Sequence, residues 1–289
     1  TLRIMAGASK IALHLTLGNK GGRYELAKVK EYQGHREKAE GLAERVGALR
    51  AFMANYSTPT VRAEVSLEQE ADDALCQAMV RSRDEGRDDV LWSLDKDLWM
   101  VGGLHMDYKT YEITEFPWGF GSCELSEETS TKKVVGKGTS FFWHQMLMGD
   151  GADAIPGLPK LSAKICMEVA PTKKLLAAQD RLARATGPEK TRFAKIALAK
   201  ICDSTKPKLC GAVGAHTYLE GITNDQDAFR AVYRAYTEHY GTGSFEFKCW
   251  RGDTRTLTAG DMLVEQARLL WMRREPNEDV MVFLNEVMK

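Results

Sequence analysis

With 289 residues, 44% of them hydrophobic and 28% charged, the chain has the composition of a globular protein with one large domain or two ordinary ones, and disorder is excluded as the default. Forty basic residues balance forty acidic ones, so any nucleic-acid site must be a local basic face and not a generally basic surface. Six cysteines at 76, 123, 166, 202, 210 and 249 form no CxxC pair, which argues against a zinc module or a disulfide frame and for a reducing, cytoplasmic setting. No apolar run approaches the roughly 20 residues of a membrane helix, so no membrane partner is expected. The chain opens with Thr1, and an N-terminal piece is expected to precede it.

In chain order, "KIALHLTL" (Lys10 to Leu17) reads as a buried strand running into the Gly-rich loop "GNKGGR". From Lys38 to Tyr56, Leu42, Val46, Leu49 and Met53 recur at helical steps and predict an amphipathic helix. A strand near Thr60 to Val65, a helix from Leu67 to Arg83 and a strand at "DVLWSL" follow. This alternation predicts an α/β fold with a mostly parallel central sheet flanked by helices. After Lys137 the pattern is mainly helical, with helices at Ser140 to Met148, Leu161 to Glu168, Lys173 to Ala185, Asp225 to Glu238 and Thr258 to Arg274. In the last, Thr258 and Asp261 predict a capping box. The stretch "YGTGSFEFKCWRGDTRTL" reads as a loop or short hairpin.

Three acidic clusters fall where such a sheet ends its strands. They are Glu70, Asp72 and Asp73 in "EQEADDAL", Asp95 and Asp97 in "SLDKDL", and Asp150 and Asp153 in "MGDGADAIPG". Each alone has an ordinary explanation, a helix first turn or a solvated loop. Together they supply oxygen ligands in the number that hard divalent ions require. Two such ions about 4 Å apart activate water and stabilise both oxygens of an in-line phosphoryl displacement.

"EADD", "SxDKD" and "MGDxxDxIPG", in this order, resemble the bacteriophage and bacterial 5′-nuclease family of flap endonucleases and 5′ to 3′ exonucleases. Upstream, "LGNKGGRYELAKVKEYQGHRE" is similar to that family's arch segment, and "EQARLLWMRR" resembles the final helices of phage exonucleases. The resemblance runs from about residue 11 to about residue 170 and implies a PIN-like α/β core over residues 1–137, with an arch segment near 20–56. Residues 138–289 would carry a helix-three-turn-helix DNA-binding element and a helical C-terminal region.

The implied site holds two Mg2+ or Mn2+ ions. Glu70, Asp72, Asp73 and Asp95 would bind one; Asp97, Asp150 and Asp153 would bind or position the other, with Asn19 a weaker ligand in the loop. A potassium ion is implied at the helix-three-turn-helix. Lys20, Arg23, Tyr32, Gln33 and Arg36 would meet DNA at the arch, Arg23 and Arg36 on phosphates and Tyr32 stacked on an unpaired base. Gly157, Lys160 and Lys164 would grip the duplex backbone, where a helix N-terminus offers N–H groups to phosphate. His144 and His216 are read as structural.

The chain departs from the family in four places. No strand ending in "DG" precedes Lys10, Asn19 replaces a carboxylate, Gln33 replaces a lysine, and Lys160 and Ser162 stand where glycines are usual. The leading expectation is a monomeric, metal-dependent 5′-nuclease of the phage replication type, hydrolysing DNA with free or flapped 5′ ends or nicks. The rivals are a catalytically weak binder of branched or flapped DNA with the same fold, and a related ribonuclease.

Overall fold

The computed structural model describes the chain apart from Asn19 and residues 35–41, 128–131, 159–179, 181, 185 and 188–208. The helices expected at Leu161 to Glu168 and over most of Lys173 to Ala185, and the whole helix-three-turn-helix segment from 159, lie outside the described residues.

The fold is mixed α/β. A short helix α1 (Leu2–Met5) precedes β1 (Ile11–Thr16). Then come α2 (Arg23–Leu26), α3 (Leu42–Ala54), β2 (Ser57–Thr58), β3 (Val61–Ser66), α4 (Ala71–Asp84) and β4 (Val90–Leu91). A 3-10 turn (Lys96–Met100) leads to β5 (Gly103–Met106), β6 (Ile113–Phe116), β7 (Ser122–Leu125) and β8 (Val134–Lys137). The remainder is α5 (Thr139–Met148), α6 (Ala212–Leu219), α7 (Asp225–Tyr240), the hairpin β9 (Phe245–Lys248) and β10 (Thr254–Leu257), α8 (Ala259–Leu270) and α9 (Met281–Val287).

The α/β class is as expected, but among the described residues the strands form four small sheets instead of one broad one. β1 pairs in parallel with β3, which takes β2 antiparallel on its other edge. β4 pairs in parallel with β5, and β6 adds an antiparallel edge. β7–β8 and β9–β10 are hairpins. The strand expected over Asp89 to Leu94 shortens to two residues, because Trp92 and Leu94 are exposed and leave the ladder.

The core centres on α5, whose residues from Thr139 to Leu147 are all buried. A helix buried on every side must be enclosed, and α6, α7, α8 and α9 enclose it. Phe142, Trp271 and Phe283 interlock, with the last two stacked at 4.4 Å. Asn224 caps α7 by accepting from Asp227 N–H at 2.8 Å, and Thr258 and Asp261 form the expected capping box on α8. Cys76, Met79, Leu91 and Leu98 join the same core from the N-terminal half. α3 forms where expected, but its apolar positions Val46, Leu49 and Phe52 face outward. No helix among the described residues is long and apolar enough to cross a membrane, and the described cysteines are free.

Candidate metal centre

The acidic segments follow the ends of β3, β4 and α5, and side-chain contacts bring them towards one another. β1 and β3 end side by side at Thr16 and Ser66. Thr16 Oγ1 accepts the Ala71 N–H at 2.7 Å, so the strand end holds the start of α4. Glu70 is the N-cap there, with Asp72 and Asp73 in the first turn. After β4, Asp95 Oδ1 accepts the Asp97 N–H at 2.9 Å and caps the 3-10 turn. Beyond α5, Asp150 and Ile155 exchange two backbone hydrogen bonds of 2.8 Å, closing a tight loop that carries Asp153.

That loop is held by two glycines. Gly157 has φ +63°, and a Cβ on it would lie 2.3 Å from Gly149 N and 2.5 Å from Leu147 O. The two backbones touch, which leaves no room for a side chain.

The carboxylates gather into two nodes. In the first, Lys96 Nζ lies 2.8 Å from Asp97 Oδ1 and 2.6 Å from Asp150 Oδ2. Gln145 Nε2, from α5, donates to the same Asp97 oxygen at 2.6 Å, and the Ala152 N–H donates to Asp150 Oδ1 at 2.7 Å. In the second, the Tyr32 hydroxyl sits 2.9 Å from Asp153 Oδ2 and 3.1 Å from Glu70 Oε2. Gln33 donates to Asp153 twice, from Nε2 at 2.9 Å and from its backbone N–H at 2.8 Å, while Lys20 donates to Gln33 Oε1.

Electrostatics links the nodes. Burial, then Asp95, then Glu70 push the Asp72 carboxyl up to about 7, so Asp72 lies within the field of both acidic segments. Burial pushes Asp97 up to about 7 against the pull of Lys96, with Asp150 adding to the rise. Burial also acts upward on Asp150, but Lys96 and the Ala152 N–H outweigh it and hold this carboxyl below its usual range. Burial raises Glu70 as well. One phenolic proton cannot serve two carboxylates, and a protonated Glu70 can donate back to the Tyr32 oxygen.

Several expected roles are corrected. Arg23, expected on a DNA phosphate, is 1% exposed and forks onto Asp73 at 2.8 and 3.0 Å, with Glu70 at 3.0 Å and Trp271 O at 3.0 Å. A buried guanidinium needs a carboxylate, and Asp73 supplies it. Asp73 is fully buried, and its Oδ1 also accepts the Arg273 N–H at 3.0 Å, so it faces the core and not the acidic edge. Tyr32 is also 1% exposed, with its ring edge-on to Tyr24 at 5.6 Å, and has no face for a base. The half-exposed ring in this segment belongs to Tyr24, under the Lys20 ammonium. Gly157 is buried and its N–H points to Gln266 Oε1 at 3.3 Å, inward and away from any phosphate. Asn19, Arg36, Lys160 and Lys164 lie outside the described residues.

His144 is structural as expected, buried on α5 with Nδ1 2.7 Å from Ser140 O. Sequence reasoning passed over Lys96 and Gln145. The signal for Lys96 was the lysine inside "DKD"; for Gln145 nothing short of the fold marks it.

The donor chemistry fits a hard divalent cation, because the candidate ligands among the described residues are carboxylates and an ammonium already stands between Asp97 and Asp150. Among the described residues no three of these side chains converge, as they stand, closely enough to hold a metal ion.

No family model and no curated protein matches the chain. Among solved structures, the T5 D15 protein co-crystallised with metal ions superposes with a TM-score of 0.42 at 18% identity, over 80% of this chain and 83% of that one. The T5 5′-exonuclease with bound divalent zinc superposes with a TM-score of 0.38 at 14% identity, over 95% of this chain and 88% of that one. Likenesses of this strength do not decide a function, which rests on the side chains of this chain.

Proposed function

We propose that this chain is a metal-dependent 5′-nuclease that hydrolyses phosphodiester bonds in DNA with free or flapped 5′ ends. The observation that carries the proposal is the approach of three acidic segments to one another: Lys96 bridges Asp97 and Asp150, the Tyr32 hydroxyl bridges Glu70 and Asp153, and Asp72 lies in the field of both Asp95 and Glu70. The resemblance of "EADD", "DKD" and "MGDGADAIPG" to 5′-nuclease motifs supplies the substrate class.

Glu70, Asp72 and Asp95 would hold one Mg2+ or Mn2+, and Asp97, Asp150 and Asp153 the second. Metal ions held there would lower the pKa of a bound water and neutralise charge on the phosphate. The protein's own part is to orient. Gln145 fixes Asp97, Tyr32 and Gln33 fix Asp153, and Arg23 with Asp73 anchors the start of α4 beneath the site. Lys20 and Tyr24 lie beside the second node, where a strand would meet a charge and a ring face.

The test is Mg2+- and Mn2+-dependent release of product from a 5′-labelled flap and a nicked duplex. Asp150→Asn and Asp72→Asn should each cut the rate by about two orders of magnitude or more while sparing flap binding. Restoring the family's charges with Asn19→Asp and Gln33→Lys should raise it. Tight flap binding with no cleavage by either form would replace this reading with that of a branched-DNA binder.

A further inference from the structure

Among the described residues, Lys96 bridges the 3-10 turn to the loop after α5, and it does so with a charge. Its Nζ lies 2.8 Å from Asp97 and 2.6 Å from Asp150, although the two carboxylates are 53 positions apart in the chain. Asp97 and Asp150 are almost wholly buried, whereas the lysine side chain keeps 41% of its surface in solvent. The ammonium sets a positive charge directly between two buried carboxylates, and its withdrawal would leave them facing each other. Lysine suits the task, because a flexible four-carbon stem can carry its compact charge away without unfolding anything.

We infer that Lys96 is a built-in placeholder cation, which occupies the Asp97–Asp150 position in the metal-free protein and swings into solvent when a divalent ion enters. This rests on the metal reading given above, and extends it. Lys96 keeps the empty centre from repelling itself apart, and it makes the second position weaker and easier to vacate than the carboxylates alone would make it. Gln145, which donates to the same Asp97 oxygen from the rigid α5, then holds that carboxylate in place during the exchange.

The experiment is Mn2+ binding by calorimetry and by electron paramagnetic resonance, with thermal unfolding of the chelator-treated protein, on the unaltered chain, Lys96→Gln and Lys96→Arg. Lys96→Gln should lower the metal-free melting temperature and tighten the weaker Mn2+ site by about tenfold, because the competing charge is gone. Lys96→Arg, which keeps the charge, should bind Mn2+ no more tightly than the unaltered chain. Should Lys96→Gln be too unstable to handle, Lys96→Met is read in its place with the same expectation. Unchanged or weaker Mn2+ binding in the neutral variants would overturn the placeholder role, and flap cleavage by the unaltered chain would leave the nuclease reading standing. Absence of Mn2+ binding and of cleavage in every form would overturn both.

Discussion

Single residues show how little freedom the site has. At Gly157→Ala the new Cβ would lie 2.3 Å from Gly149 N at a φ of +63°, so backbone must move on both sides of Asp150. The expected cost is more than about 3 kcal/mol by urea unfolding, and any folded remainder should bind metal weakly. Arg23→Met tests a different residue. It leaves Asp73 buried and uncompensated, which costs about 3–5 kcal/mol. If Arg23 were a phosphate contact, the same change would also lower the salt slope of DNA binding by about 1; with the guanidinium turned inward the slope should not move. His105 is a residue to which the sequence drew no attention. It stacks on Phe116 at 4.0 Å with Nε2 2.8 Å from Val101 O, and burial, helped by Lys137, pushes it down to about 4 against that hydrogen bond. In the unfolded chain it titrates near 6.5. Between these values the unfolded state binds the extra proton, so stability is lost as pH falls, by about 2 kcal/mol from pH 7 to pH 5. Asp72 and Asp97, raised to about 7, act in the opposite sense over the same range, so the His105 contribution should appear as the difference between the urea-unfolding stabilities of the unaltered chain and His105→Gln, changing by about 2 kcal/mol from pH 7 to pH 5.

At the scale of elements, the N-terminal half of the site depends on the C-terminal half. Glu265, on α8, accepts the Lys28 and Val29 N–H groups at 2.8 and 3.0 Å, and the β9–β10 hairpin adds Trp250 and Arg251 to Ala27 O at 2.8 and 3.0 Å. These clamps fix the stretch that ends in Tyr32 and Gln33. Glu265→Ala should therefore raise amide exchange at Lys28, Val29 and Gln33 by about tenfold or more, with α5 unaffected. None of this was legible beforehand, because contacts across more than 200 residues leave no local pattern. What was legible had local causes: β1 in its apolar run, α7 in its periodicity, α8 in its capping box. β5 to β8 escaped notice because each has four residues, two of them include a glycine, and β6 shows no inward face. α3 was legible as a helix but not in its orientation, since a periodic apolar face does not say what it packs against. The site divides in the same way. Seven carboxylates could be named from motifs, but the inward turn of Arg23, Asp73 and Tyr32 depended on partners 38 to 248 positions away.

For the whole molecule, the gathered carboxylates set activity against stability. Near neutral pH the acidic segments repel one another, and the Asp72 and Asp97 carboxyls are raised first by burial and then by that repulsion. A ligand that binds only the folded state stabilises it by RT ln(1 + [L]/Kd), about 2.7 kcal/mol at one hundred times Kd. For a chain of this length that is a rise in melting temperature of about 5 °C or more. Saturating Mg2+ or Mn2+ should produce it, chelator should reverse it, and sodium chloride at equal ionic strength should not. Asp72→Asn separates the two sides of the balance. It removes one like charge from between Asp95 and Glu70, so the metal-free melting temperature should rise, while the further rise on adding divalent ion should shrink together with cleavage. A variant that gains metal-free stability and keeps the full metal response would place Asp72 outside the centre; one that loses metal-free stability would mean that its carboxylate holds the fold together and not the ion.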